Sequence, residues 1–277
     1  MSPSHGTARS ARPPRSSRPS RSSRPPRSPF DLSGRSALVT GGAGGLGREM
    51  VRALAAAGAA VAVHHLGQEA EAEAVAERVR ADGGRAVTVE GDITDWDAAA
   101  SFTAAAEDAL GPLDILVNNA GLMAPGRLTE LSLAAWRRTL AVDLDGVFIV
   151  SRQVLPGMVR RGHGVIVNVS SQLAFKGAED FAAYCAAKAG VLGLTRAMAR
   201  EVGPAVRVNA IAPGPVTTPM TAASFDDALT RARTEGLVAG RMGEAHEIAP
   251  AVVYLAGDAA SFVHGQTLHL NGGGVMA

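Results

Sequence analysis

From residue 36 onward, short apolar runs of four to six residues alternate with stretches of helical period, and the strand candidates are apolar at nearly every position. Strands covered by helices on both faces read this way, whereas a half-exposed sheet alternates apolar with polar. The pattern predicts strands at 36–40, 60–65, 86–90, 113–117, 165–169, 206–210 and 267–270. Helices are expected at 46–57, 69–81, 96–110, 181–201 and 247–255, with a long bent helical region at 129–158. A loop-rich insertion is expected at 213–240. Right-handed βαβ crossovers then give a Rossmann-type, doubly wound α/β fold with a parallel sheet and one domain.

The domain does not use the whole chain. Residues 1–29 are built from Ser, Pro and Arg, with seven prolines and no apolar run, so they are expected to be disordered. They lack the apolar segment of a secretory signal. Residues 30–277 form the expected domain. The seven arginines of the tail, with no acid beside them, turn a total of +1 into −6 for the remainder. A mildly acidic domain with 4% aromatic residues is a poor binder of nucleic acid. No apolar stretch reaches the length of a membrane span. The single cysteine, Cys185, excludes an intrachain disulfide and a cysteine metal cluster. It fits a reducing compartment, and a cytoplasmic location is expected.

TGGAGGLG, at 40–47, stands between the first strand and the first helix. Gly41, Gly45 and Gly47 in that setting suit a dinucleotide pyrophosphate, because a Cβ would obstruct both the turn and the ligand. The following helix offers unpaired N–H groups to phosphate. No Lys-Ser or Lys-Thr follows, so this is not a triphosphate loop. The acid that binds an adenosine ribose is missing at the end of the second strand, where His64 and His65 stand. Its absence at His65 removes repulsion against a 2′-phosphate and favours NADP(H) over NAD(H). Asp92, in GDITD, is a candidate acceptor for the adenine amino group, while Asp95 fits a helix cap better. Asn118, Asn119, Ala120 and Gly121 follow the fourth strand and leave room for a sugar.

Ser171 precedes Tyr184 by thirteen residues, and Lys188 lies one helical turn beyond it. A phenol with an unperturbed pKa of about 10 is a poor base at neutral pH. A lysine on the same helix face favours the phenolate. Behind a dinucleotide turn the three form an acid–base set for hydride transfer at a carbonyl or alcohol carbon. Tyr184 would carry the proton, Ser171 hold the substrate oxygen, and Lys188 tune the phenol and bind ribose. Ala124, Leu173, Phe175 and Phe181 are candidates for an apolar substrate pocket, and no metal site is evident.

These residues resemble the short-chain dehydrogenase/reductase family over about 30–273. The matching segments are TGGAGGLG, NNAG at 118–121, Ser171, YCAAK at 184–188, NAIAPGPVTTPM at 209–220 and TLHLNGGG at 267–274. The overall pattern is most similar to 3-oxoacyl-carrier-protein reductases and other ketoreductases. The resemblance implies a cofactor set of Thr40, Gly41, Gly45, Leu46, Gly47, His65, Asp92, Ile93, Asn119, Ala120, Gly121, Tyr184, Lys188, Pro213, Gly214, Val216 and Thr218. Val216 and Thr218 would meet the nicotinamide carboxamide. It also implies a homodimer or homotetramer, with the helices of 129–158 and 181–201 at one interface. An acyl carrier protein is an implied partner.

One position departs from the family. Asp143 stands where the family usually has an asparagine that supports a helix bend, whose backbone carbonyl serves the proton relay to the lysine. An aspartate loses two donors and adds charge, but a contact made mainly through backbone would leave activity in place. The alternative to an enzyme is a dinucleotide-binding regulatory or scaffold protein of the same fold. Asp143 is its only support.

Overall fold

The computed structural model describes residues 28–222 and 227–276. Most of the tail therefore lies outside the described residues. The described chain is tied to the domain from its start, for Pro29 O accepts Ala259 N–H at 3.0 Å.

The strands are β1 (Ser36–Val39), β2 (Ala60–His65), β3 (Ala86–Glu90), β4 (Ile115–Asn118), β5 (Gly164–Val169), β6 (Val206–Pro213), β7 (Val216–Thr217), β8 (Gly243–Glu244) and β9 (Thr267–Leu270). The helices are α1 (Gly45–Ala56), α2 (Glu69–Ala81), α3 (Trp96–Leu110), α4 (Leu133–Leu140), α5 (Gly146–Arg161), α6 (Leu173–Lys176), α7 (Ala182–Val202), α8 (Pro219–Ala222), α9 (Asp227–Thr234) and α10 (Ala245–Ala256). Seven strands form one parallel sheet in the order β3-β2-β1-β4-β5-β6-β9, and β7 pairs only with β8.

Successive strand residues feed opposite cores, as the two-residue period of a strand requires. Val39, Val63, Val117 and Val167 pack with Met50, Leu54 and Leu255 of α1 and α10. Leu38, Ala62, Leu116 and Ile166 pack with Phe102, Val154 and Met198 of α3, α5 and α7. Each layer is buried, so neither face of the central strands tolerates polar residues. The chain runs from β1 outward to β3, then returns to place β4 on the other side of β1. That reversal opens a crevice beyond the strand ends, where ligands bind in folds of this kind.

Three segments differ from the sequence expectation. The bent helical region begins at Leu133, where Ser132 Oγ caps it by accepting Ala135 N–H at 3.1 Å. Its bend is a π-helical turn over Ala141–Asp145, and the helix continues to Arg161. The stretch at 213–240 is not simply loop, for it carries β7, α8 and α9. These elements are too short to show a period. Among the described residues, no helix is long and apolar enough to cross a membrane.

Candidate active site

The turn after β1 depends on its glycines. Gly41 and Gly45 have φ of +62° and +53°, in the left-handed region that other residues avoid. A Cβ on Gly47 would run into the Gly41 carbonyl oxygen and Asn119 Nδ2. This close approach brings α1 against the turn. Gly44 precedes the helix without any side-chain cap, so the first-turn N–H groups are left for a ligand. Gly41, Gly44, Gly45 and Leu46 line a cavity of about 890 Å³. The cradle fits a dinucleotide pyrophosphate.

Thr40 and Asn119 brace this cradle. Thr40 Oγ1 accepts Asn119 N–H and Ala120 N–H, both at 3.0 Å. Asn119 Nδ2 donates back to Thr40 O at 2.9 Å and Gly41 O at 3.1 Å. Thr40 and Gly47 therefore sit behind the wall and shape it, while Asn119, Ala120 and Gly121 line it. Asn118 faces inward and donates to Ser151 Oγ and Asn168 Oδ1.

The end of β2 requires a correction. His65 is buried and does not line the cavity, whereas His64 does. His64 Nδ1 accepts Gly41 N–H at 3.2 Å, and its Nε2 lies 2.9 Å from Gly91 O. Accepting on one nitrogen and donating on the other requires the neutral ring. Burial, against the pull of Gly91, lowers its pKa to about 4. His64 thus ties the glycine turn to the end of β3. Leu66, Gln68, Glu71 and Arg48 also line the cavity. Sequence reasoning passed over Arg48, although its place on the first turns of α1 put it beside the phosphate cradle. Asp92 and Ile93 line the cavity too. Asp92 Oδ1 accepts Thr94 N–H at 2.8 Å and Thr94 Oγ1–H at 2.7 Å, while Asp95 caps α3.

Helix α7 presents Tyr184 and Lys188 to the same cavity. Lys188 is buried, with Nζ 3.0 Å from Asp143 Oδ1 and donating to Val169 O at 3.1 Å. Its Nζ lies 5.6 Å from the centre of the Tyr184 ring. The π-helical turn carries Asp143 to this point, where its Oδ2 also accepts Leu122 N–H at 3.3 Å. Gly121 makes room, because a Cβ there would stand 2.5 Å from Asp143 Oδ1. Asp143 thus meets the lysine with its own carboxylate, and not mainly through backbone as the sequence suggested.

Burial raises the Tyr184 pKa; Lys188 pulls it down, Asp143 pushes it up, and a hydrogen bond with Ser171 pulls it down. Burial acts against the Lys188 ammonium, but Asp143 and Tyr184 outweigh it and raise its pKa. Ser171 reaches the phenol and accepts Leu173 N–H at 3.1 Å. It is buried and stands behind the lining formed by Ser170 and Leu173.

Pro213, Gly214, Val216 and Thr218 line the cavity beyond β6. Of the apolar pocket candidates only Leu173 lines it. Phe175 packs on His269, with ring centres 4.6 Å apart. Phe181 stands edge-on to Tyr184 at 6.5 Å and carries Arg233 over its ring at 5.0 Å. Ala124 is not among the lining residues.

Residues 35–229 match the family model described as short chain dehydrogenase. The chain is 44% identical over 243 residues to a cis-4-hydroxycyclohexanecarboxylate dehydrogenase of Sinomonas cyclohexanicum, covering 86% of this chain and 96% of that protein. It is 37% identical over 243 residues to a 3-oxoacyl-acyl-carrier-protein reductase of Staphylococcus aureus, covering 87% and 98%. Among solved structures it is similar to a gluconate 5-dehydrogenase from Burkholderia cenocepacia in complex with NADP and tartrate. The TM-score is 0.84 at 35% identity, covering 88% of this chain and 96% of that one.

Proposed function

The chain belongs to the short-chain dehydrogenase family and is a dinucleotide-dependent oxidoreductase of carbonyls and secondary alcohols; within that frame we propose that Tyr184, Ser171 and Lys188 carry the chemistry. The observation behind this reading is the meeting of Tyr184, Lys188 and the glycine cradle on one cavity. The bound dinucleotide supplies or takes the hydride. Gly41, Gly45, Leu46, Asn119, Ala120 and Gly121 hold its phosphates and sugars, with Thr40 and Gly47 shaping the wall. Asp92 and Ile93 face its adenosine half, and Pro213, Gly214, Val216 and Thr218 its nicotinamide half.

In reduction, Tyr184 donates its proton to the oxygen that develops negative charge, and Ser171 holds that oxygen by a hydrogen bond. In oxidation, the phenolate takes the proton back. The Lys188 ammonium favours phenolate, and Asp143 opposes it by pairing with that ammonium. Asp143 is therefore a positioning residue for Lys188. With its pKa raised, Tyr184 keeps its proton at neutral pH, which suits reduction.

NADP(H) is the preferred dinucleotide in this reading. Arg48 at the cavity supports it, as does the NADP bound to the gluconate 5-dehydrogenase. A cytoplasmic location would give access to the reduced pool. A homodimer or homotetramer is supported by Leu133 of α4 and Phe148 and Val159 of α5, large apolar side chains exposed in the single chain. Light scattering on the purified protein tests the assembly.

The catalytic reading is tested by following the absorbance of the reduced dinucleotide. Ketones and acyl-carrier thioesters are offered with each cofactor. Turnover of at least one carbonyl, with NADPH ahead of NADH, supports it. Absence of turnover across the panel with both cofactors would contradict it.

A further inference from the structure

We propose that Arg233 forms an anion subsite in the substrate end of the cavity, and that the substrate is a ketone or secondary alcohol that also carries a carboxylate. The proposal rests on Tyr184 as the reacting proton donor. Arg233 lies on α9, lines the same cavity as Tyr184, and is half-buried. Its guanidinium carbon sits 5.0 Å from the centre of the Phe181 ring, and that ring centre is 6.5 Å from the Tyr184 ring centre. Those two steps bound the guanidinium-to-phenol-ring separation at 11.5 Å. A small keto acid spans that distance, whereas a phosphopantetheine arm would hold its phosphate well beyond it.

Stacking on an aromatic face fixes the guanidinium plane and leaves its in-plane N–H groups for a ligand. The matching acceptor is a carboxylate, taken by two parallel hydrogen bonds. The acids around the cavity do not cancel this charge. Asp143 is paired with Lys188. Glu71 and Asp92 follow β2 and β3, at the opposite end of the sheet from β6, after which α9 comes. The substrate end therefore keeps a cation with an apolar backing, next to the proton donor. That arrangement orients a substrate with its carbonyl at Tyr184 and its carboxylate at Arg233. It also selects against neutral ketones, since they leave a half-buried guanidinium without its anion.

The test compares 4-oxocyclohexanecarboxylate with its methyl ester, which has the same ring and carbonyl but no charge. Initial rates are measured with the full chain and saturating NADPH, for the wild type, Arg233→Gln and Arg233→Lys. The wild type is expected to favour the acid in kcat/KM by about tenfold or more. Arg233→Gln should lower that acid-to-ester ratio by about tenfold or more, and Arg233→Lys should retain part of it. Equal rates for acid and ester in the wild type would overturn the subsite, and so would an unchanged ratio in Arg233→Gln. The wild-type ratio decides the matter even where a variant folds poorly. Where neither ketone turns over, the catalytic reading fails and the subsite is judged by binding alone. Calorimetry with 4-hydroxycyclohexanecarboxylate and the enzyme–NADPH complex then reads it. Affinity that depends on Arg233 keeps the subsite, and affinity indifferent to Arg233→Gln or no binding overturns it.

Discussion

Lys188 Nζ lies 3.0 Å from Asp143 Oδ1, with the two side chains 4% and 0% exposed. They come from a straight helix and a π-helical turn, and the contact exists because Gly121 has no side chain between them. A buried pair of this kind does little for net stability, but breaking it leaves one charge stranded. Asp143→Ala should therefore destabilise the fold by about 3–5 kcal/mol, and Asp143→Asn by less. The Lys188 pKa is raised in the folded state. Its stabilising contribution is thus complete below the unfolded lysine value and is lost as pH rises through the folded one. Urea denaturation at neutral and strongly alkaline pH checks both the size and the sign.

The same pair sets the charge felt by Tyr184. Asp143 pushes the phenol pKa up, so removing that charge lowers it. In Asp143→Asn the alkaline fall in ketone reduction should begin at lower pH than in the wild type. Alcohol oxidation, which needs the phenolate, should gain at neutral pH. Rate profiles in both directions test this, and profiles that coincide with those of the wild type would count against it.

The sequence carried the sheet more completely than the site. β2, α2, β3, α3 and β9 fall where the apolar periods put them, because strands covered on both faces must be apolar throughout. The site was legible where a short motif carries its own geometry. Gly41, Gly45 and Gly47 are read from one turn, and Tyr184 and Lys188 from one helical face. Asp143 was legible as a departure but not as a partner of Lys188, since their contact joins α7 to a turn 45 residues earlier in the chain. His64 and His65 are neighbours on a strand and point to opposite sides. Which one meets the cavity depends on strand register, and register is set by pairing with β1 and β3. Arg233 lies on a short helix whose position is fixed by contacts remote in sequence.

His64 gives a separate acid-side expectation. Its pKa falls from 6.5 unfolded to about 4 folded, chiefly through burial. The unfolded chain therefore binds the proton first, and stability falls as pH drops from 6.5 toward about 4, by about 3 kcal/mol at most from this group. His64→Gln should flatten that part of the stability curve. Because protonation also removes the acceptor for Gly41 N–H, dinucleotide affinity should weaken over the same range. Denaturation and cofactor titration at stepped pH read the two effects.

Arg48 tests the cofactor preference. Its side chain is half-exposed and pairs only loosely with Glu49, at 3.5 Å, so it is available to a 2′-phosphate. Arg48→Ala should lower kcat/KM for NADP(H) by about tenfold and leave NAD(H) much less affected, consistent with loss of one charge-assisted contact. An unchanged ratio between the two dinucleotides would locate the preference elsewhere.

The central claim is that the Tyr184 hydroxyl moves the proton. Tyr184→Phe removes that oxygen and keeps the ring against Phe181 and Lys188. Steady-state turnover of a reducible ketone is measured beside fluorescence titration of NADPH on the same purified variant. Turnover should fall by about 10²–10⁴-fold, while dinucleotide affinity and the unfolding midpoint stay close to those of the wild type. A folded, NADPH-binding Tyr184→Phe enzyme with near-normal turnover would contradict the account.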